Sequence, residues 1–113
     1  MREILFRGKA STKWVYGDLR HLNDGRVAVR KDGEIYPYEV IPETVGQYTG
    51  LKDKNGKKIF ENGYMIIDNK TYKVIFDNAE YILTNIFGCD IITLKNNSIK
   101  GVFVDEIWSD KKI

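Results

Sequence analysis

The chain has one cysteine and one histidine, Cys89 and His21, the only two side chains suited to thiol or imidazole chemistry. A nucleophile and its base could form from this pair only if the fold brought them together. His21 lies beside a predicted turn and Cys89 follows a glycine, so we interpret them as a surface histidine and an inert buried thiol. Two ligands are also too few for a structural zinc site, which needs about four.

Positive charge is concentrated in the middle of the chain, where Asp53 is the one acid among four lysines: Lys52, Lys54, Lys57 and Lys58. A basic loop with aromatic neighbours can contact phosphates and stack on bases, so these lysines and Tyr48 are candidate nucleic-acid contacts. The alternative, which we favour, is a solvated hairpin tip whose lysines confer solubility and whose aromatic rings, Tyr48 and Phe60, belong to the core.

Carboxylates do not form a recognisable site. The segment beginning at Asp53 is similar to a calcium loop, but Lys57, Lys58 and Tyr64 occupy the positions that require an oxygen ligand, a glycine and a glutamate. Asp105 and Glu106 are adjacent and would point to opposite faces of a strand. The remaining candidates are scattered through predicted turns, so only spatial pairing could create a two-carboxylate hydrolase: Asp18, Asp77, Glu80 and Asp90. We predict no catalytic, metal-binding or cofactor-binding residues.

The composition is that of a soluble globular domain. The chain has 113 residues, 42% of them hydrophobic and 30% charged, with a net charge of +2. That net charge is too small to predict nucleic-acid binding by itself. One cysteine excludes an intramolecular disulfide and favours a reducing compartment. The N-terminus lacks the apolar run of a signal peptide, and no segment approaches the roughly 20 apolar residues that span a bilayer. We therefore expect a cytoplasmic protein without a membrane partner.

Short apolar runs alternate with turn signals about every eight to twelve residues, which predicts an all-β fold of small antiparallel strands. Asn55-Gly56 is the strongest turn signal. Pro37 cannot donate to a ladder, so its strand is expected at an edge, and Pro42–Val45 could form one turn of helix. The predicted strands cover residues 2–7, 13–20, 26–30, 35–41, 64–68, 71–77, 80–84, 91–94 and 101–108.

The five strands after residue 63 would suit a small, partly open SH3-like barrel, against which the N-terminal half packs as a meander. We treat residues 1–113 as a single unit, with a subdivision into 1–60 and 61–113. The aromatic rings are the candidates for the core of so small a domain: Trp14, Tyr16, Tyr36, Tyr38, Tyr48 and Tyr64.

Three stretches, Met1–Gly8, Trp14–Gly17 and Pro42–Glu61, resemble the YopX family, which phages and prophages encode. The resemblance spans the whole chain in order, and the third stretch is its most specific part. It implies a small all-β intracellular protein without an assigned biochemical role or catalytic residues to carry over. We interpret the motif residues as structural: Gly46, Gln47, Tyr48, Thr49, Gly50, Leu51, Asn55, Gly56, Ile59, Phe60 and Gly63.

The sequence departs from the family pattern after Phe60. The family usually continues Glu-Gly-Asp-Ile-Val, whereas this chain continues Glu61-Asn62-Gly63-Tyr64-Met65. We interpret the small bend residue as displaced by one position and the acidic side chain as lost, with Asn62-Gly63 forming an alternative turn.

We therefore expect a non-enzymatic phage or prophage accessory protein that binds a phage or host protein and self-associates. Exposed aromatic rings and open strand edges favour such contacts, and the first half, where Pro37 breaks a ladder, is the expected docking edge. A nucleic-acid-binding small barrel is the alternative. An unrecognised enzyme, such as a metal-dependent nuclease, is the second alternative.

Overall fold

The computed structural model describes residues 4–85 and 91–105, so the predictions for Cys89, Asp90 and Glu106 lie outside the described residues. Within these ranges the chain forms ten strands and one 3-10 helix, with no α-helix. The strands make two antiparallel sheets, which confirms the predicted all-β fold.

The first sheet follows chain order. Its strands are β1 (Phe6–Ala10), β2 (Lys13–His21), β3 (Val27–Arg30), β4 (Tyr38–Lys52) and β5 (Lys58–Phe60). β1 also pairs with β4, so the meander curls round and is partly closed. This closure, which the sequence did not indicate, leaves β1 with a strand on each side.

The second sheet has the order β10-β6-β7-β8-β9, so its last strand returns beside its first. Its strands are β6 (Tyr64–Ile67), β7 (Lys70–Asp77), β8 (Glu80–Asn85), β9 (Ile91–Thr93) and β10 (Val102–Val104). The 3-10 helix, Ser98–Lys100, precedes β10. All the pairings in this sheet are antiparallel, which confirms the five strands predicted for the second half.

Two tight turns set the register of this second sheet. Asp68 and Asn69 have φ values of 51° and 67°, and Asn78 and Ala79 have φ values of 52° and 63°. Two consecutive positive φ values define the type I′ turn, whose twist matches that of the flanking strands. The first turn was predicted one residue later, at Asn69-Lys70.

The chain divides into two compact units, Met1–Tyr48 and Thr49–Ile113. The division lies inside β4, earlier than the subdivision after residue 60 that the sequence suggested. The central hairpin, made of the end of β4, residues 53–57 and β5, belongs to the second unit, and its turn bonds to a later strand. Phe103 N, on β10, donates to Asp53 Oδ2 at 2.7 Å.

The core of the first unit is aliphatic. Val15, Val29 and Val40 are buried together, with half-buried neighbours packed around them. Gly17 is required by close approach, since a Cβ at this position would overlap the backbone oxygen of Arg30.

A charged side chain is also buried in the first unit. Arg7 is fully buried, and its guanidinium carbon lies 3.9 Å from the centroid of the Trp14 ring. Stacking on an aromatic face is one of the few ways to accommodate an arginine away from water.

The second unit buries a larger set of apolar side chains: Ile59, Phe60, Met65, Ile67, Tyr72, Val74, Leu83, Leu94 and Phe103. Of the aromatic rings predicted to form the core, Tyr48 is buried, whereas Tyr16 and Tyr36 are 39% and 79% exposed. Aliphatic and aromatic side chains fill the interior together, while Tyr16 and Tyr36 are left at the surface.

The structure corrects two local predictions. Gly8–Ala10, predicted as a loop, belong to β1, and Pro42–Val45 are extended rather than helical. The register between β1 and β4 shifts between Arg7 and Lys9, opposite residues 42–45 of β4, and Pro42 in this segment has no N–H for a ladder. Thr44 Oγ1 compensates by accepting a 2.8 Å hydrogen bond from Lys9 N.

Candidate functional site

The turn of the central hairpin connects β4 to β5 through residues 53–57. Asp53 N donates to Lys57 O at 2.9 Å, and Gly56 N donates to Asp53 O at 3.0 Å. Gly56 has a φ of 83°, which an Asn-Gly turn supplies readily. The structure confirms the turn predicted at Asn55-Gly56.

Asp53 organises this turn. Its side chain is buried, with the residue only 4% exposed. Oδ1 accepts hydrogen bonds from Asn55 N at 2.9 Å and Lys57 N at 2.8 Å, and Oδ2 accepts one from Phe103 N at 2.7 Å. Sequence reasoning treated Asp53 only as the acid among the lysines. An Asp two residues before Asn-Gly is a signal for the local bonds, but nothing local indicates the bond to β10.

The electrostatics of Asp53 follow from these contacts. Burial is the largest single influence and raises the pKa of the carboxyl group. The hydrogen bonds from Phe103, Lys57 and Asn55 act in the opposite direction together with the charge of Lys57, and the net pKa is lowered. The carboxylate is therefore ionised and already surrounded by donors, so it is poorly suited to act as a base or to bind a metal.

The four candidate lysines differ in their exposure and in their ion pairs. Lys52, Lys54 and Lys57 are exposed, whereas Lys58 is half-buried. Lys57 Nζ lies 3.9 Å from Asp105 Oδ2 and 5.6 Å from the centroid of the Phe103 ring. Its charge is therefore partly balanced, unlike the charges of Lys52 and Lys54, which form no ion pair within residues 4–85 and 91–105.

Sequence reasoning missed a further cation near the tip. Lys54 N donates to Gly101 O at 3.1 Å, which places the tip beside the end of the 3-10 helix. Lys100, the residue before Gly101, is exposed. Its distance along the chain from the lysine cluster gave no reason to group it with Lys54.

Tyr48 does not belong to an exposed basic surface. It is only 5% exposed, and its backbone N donates to Leu5 O at 2.7 Å. Phe60, the other aromatic neighbour of the lysine cluster, is 3% exposed. The burial of both rings agrees with the favoured interpretation that they belong to the core, and it leaves the Tyr48 ring without an exposed face for a base.

The motif residues on β4 contribute to strand pairing and to backbone conformation. Gly46 lies opposite Arg7, and Gln47 lies opposite Phe6, in the pairing that closes the first sheet. Further along, Gly50 has a φ of 88°, which disfavours any residue with a Cβ.

Thr49 and the motif residues after it hold the hairpin together. Thr49 Oγ1 donates to Ile59 O at 2.8 Å and accepts from Leu51 N at 3.2 Å, across the base of the hairpin. Ile59 is fully buried and Leu51 is half-buried. These contacts are architectural and carry no chemistry.

The chain bends after β5 at Asn62-Gly63, as the sequence predicted. Asn62 has a φ of 70°, and Gly63 N donates to Phe60 O at 3.3 Å. Asparagine tolerates this left-handed conformation better than other residues with a Cβ. The carbonyl of Gly63 accepts a 2.9 Å hydrogen bond from Val74 N.

The loop between β3 and β4, residues 31–37, exposes large apolar side chains. Ile35 and Tyr36 are 81% and 79% exposed, the highest values among the large apolar residues that the structure describes. The loop is nonetheless held in place, because Arg30 Nη1 donates to Glu34 O at 2.9 Å and Tyr38 OH donates to Glu34 Oε1 at 2.8 Å.

Two of the carboxylates raised as candidates for hydrolytic chemistry, Asp18 and Asp105, have basic partners. Asp18 Oδ2 lies 3.1 Å from Arg30 Nη2, and Asp105 pairs with Lys57. Among residues 4–85 and 91–105, no group of three or more His, Cys, Asp or Glu side chains could hold a metal ion. The same residues contain no helix that is long and apolar enough to cross a membrane.

The fold and the central hairpin define a small all-β protein with two sheets, in which the most specific sequence motif is a structural hairpin. The family pattern described as YopX protein matches residues 5–112, nearly the whole chain. The chain therefore belongs to the YopX family. No curated protein matches the chain significantly.

Proposed function

We propose that this YopX-family chain is a phage or prophage accessory protein of the bacterial cytoplasm. It acts by binding protein, including a second copy of itself, and not as an enzyme. The observation that carries the proposal is the exposed pair Ile35 and Tyr36 on the β3–β4 loop. The loop lies where Pro37 breaks the ladder before β4 begins at Tyr38.

Two adjacent large apolar side chains at a protruding loop are unfavourable in water and suit insertion into an apolar pocket. Tyrosine is enriched among the residues that dominate binding energy, since it buries a large area with few rotatable bonds. The hydrogen bonds of Glu34 hold the loop before binding, so little conformational entropy remains to be lost.

The hairpin chemistry also favours a binding role over catalysis. The carboxylate of Asp53 is saturated with backbone donors, and that of Asp105 pairs with Lys57. The strand order of the second sheet, with the fifth strand beside the first, supports the predicted SH3-like barrel. Small barrels of this kind commonly serve as binding modules, although a fold does not by itself define a function.

The oligomeric state tests self-association. Sedimentation velocity over a concentration series should show a dimer or larger species for the wild type and a monomer for the Ile35→Ser/Tyr36→Ser variant. Ile99→Ser is the matched control, because Ile99 is 73% exposed and lies in the 3-10 helix, away from this loop in the sequence. A wild type that stays monomeric at all concentrations, or a loop variant that still associates, would overturn self-association through this loop.

A phage or host partner is tested by affinity capture from induced host cells, with the same loop variant in parallel. The proposal expects a protein that the wild type retains and the loop variant loses, and recovery of the bait alone counts against it. The enzyme alternative predicts turnover of nucleic acid with divalent metal that chelation abolishes. Such turnover would overturn the non-enzymatic assignment.

A further inference from the structure

Two exposed lysines from distant parts of the chain are brought together at the tip of the central hairpin. The 3.1 Å hydrogen bond from Lys54 N to Gly101 O places the backbone of the tip against the segment that carries Lys100. Both side chains are exposed, as is that of Lys52 at the end of β4. We call Lys52, Lys54 and Lys100 the basic tip.

Asp53 and Asp105 do not neutralise the basic tip. Asp53 directs its two carboxylate oxygens to the backbone N–H groups of Asn55, Lys57 and Phe103 and is buried. Asp105 pairs with Lys57. Within the described part of the chain, the three lysines of the basic tip make no ion pair. Their charges therefore remain available to an external anion.

The tip is held in position before any ligand arrives. Asp53 Oδ2 accepts a hydrogen bond from Phe103 N, and Lys54 N donates one to Gly101 O. These two hydrogen bonds clamp the turn against β10 and the residue before it. A clamped turn presents its lysines at a defined spacing, which lowers the entropic cost of binding a polyanion.

We propose that the basic tip binds the phosphate backbone of nucleic acid. Lysine is a compact point charge suited to phosphate, and the basic tip has no arginine fork for planar, bidentate recognition of carboxylates. Tyr48, Phe60 and Phe103 are buried, so these three rings offer no stacking platform for bases. Binding is therefore dominated by charge and depends little on base sequence.

Fluorescence anisotropy with labelled 20-mer single-stranded DNA, single-stranded RNA and duplex DNA tests the proposal at several salt concentrations. The Lys54→Glu/Lys100→Glu variant should bind at least about tenfold more weakly than the wild type. Its slope of log K against log salt on single strands should be shallower by about 1.4, or about 0.7 for each lost phosphate contact. The matched control, Lys70→Glu/Lys95→Glu, reverses two other exposed lysines and should bind within about threefold of the wild type.

Absence of wild-type binding to all three probes would overturn the proposal, as would equal losses in the two double variants. Competition by polyglutamate as effective as that by DNA, at equal charge concentration, would assign the basic tip to acidic protein instead. Asp53→Asn adds one unit of positive net charge but breaks the clamp. If the folded variant binds more weakly despite its charge, the clamped geometry is supported; equal or tighter binding overturns the role of the clamp.

This proposal is independent of the β3–β4 loop. The Ile35→Ser/Tyr36→Ser variant should bind the nucleic-acid probes as the wild type does. A loss of oligomerisation with retained DNA binding therefore separates the two proposals, and failure of either leaves the other standing.

Discussion

The carboxylate of Asp53 accepts a 2.7 Å hydrogen bond from the backbone N–H of Phe103, 50 residues further along the chain. The same side chain closes the turn of the central hairpin through Asn55 N and Lys57 N. One aspartate therefore shapes a local turn and attaches it to β10. This explains why a hairpin rich in exposed lysines has a defined orientation in the second unit.

Replacing Asp53 by asparagine should lower the free energy of unfolding at neutral pH by about 2–4 kcal/mol. The variant loses charge-assisted hydrogen bonds. Its new N–H₂ group is a donor and would point at another donor, either the N–H of Phe103 or the N–H groups of the turn. Urea denaturation measures the effect. Asp32→Asn, in the exposed β3–β4 loop, is the control and should change stability by less than about 0.5 kcal/mol.

Asp53 should also contribute to acid sensitivity. Its pKa is lowered in the folded protein from the ordinary value of 3.8, so the folded state binds its proton less readily than the unfolded chain does. The stabilisation is complete above the ordinary pKa and is lost as the pH falls through the lower, folded value. Urea midpoints measured from pH 6 down to pH 2 should therefore fall less steeply for Asp53→Asn than for the wild type. Parallel profiles would contradict this account.

Gly17 should tolerate no side chain. In Gly17→Ala the new Cβ would overlap Arg30 O, a backbone atom that can move only by breaking the pairing of β2 with β3. We expect a loss of about 3 kcal/mol or more in unfolding free energy. Gly25→Ala is the comparison, because a Cβ there meets nothing within 4 Å and only the φ of 92° opposes it. That strain costs about 1–2 kcal/mol, and similar losses in the two variants would refute the steric explanation.

Asn62 should accept glycine better than a β-branched residue. At a φ of 70°, Asn62→Gly removes the Cβ that crowds the left-handed conformation, whereas Asn62→Val adds a branched one. We expect Asn62→Gly to exceed Asn62→Val in stability by about 1–2 kcal/mol, measured by thermal and urea unfolding. The reverse order would show that the backbone conformation does not limit the choice of residue here.

Tyr38 should titrate at a higher pH than an ordinary tyrosine. Its hydroxyl donates to the Glu34 carboxylate, and this hydrogen bond together with the negative charge raises the pKa of the phenol. NMR titration of tyrosines labelled at Cζ would identify the shifted resonance. In Glu34→Gln the Tyr38 pKa should move down toward its ordinary value. A Tyr38 pKa unchanged by this substitution would remove Glu34 as the cause.

Local signals predicted the second sheet well and the first less well. Strand β7 is bounded by two tight turns, Asp68-Asn69 and Asn78-Ala79, each within one residue of its predicted position, and buried side chains alternate along β7. Pairing of β1 with β4 has no such signal, because the two strands are far apart in the chain and the contact depends on how the meander curls. The extended path through Pro42–Val45 follows from that pairing, which overrides the weak local preference for a helical turn.

The sequence alone determined the all-β class, the Asn55-Gly56 turn and membership of the YopX family, because alternation and turn chemistry are local and a motif is read residue by residue. Only the tertiary structure decided that Tyr48 is buried, that Asp53 bonds to Phe103 and that Lys54 lies beside the segment carrying Lys100. These relationships join residues far apart in the chain. They depend on which backbone segments approach each other and on which strand faces become interior. Neither can be predicted from the residue types next to each position.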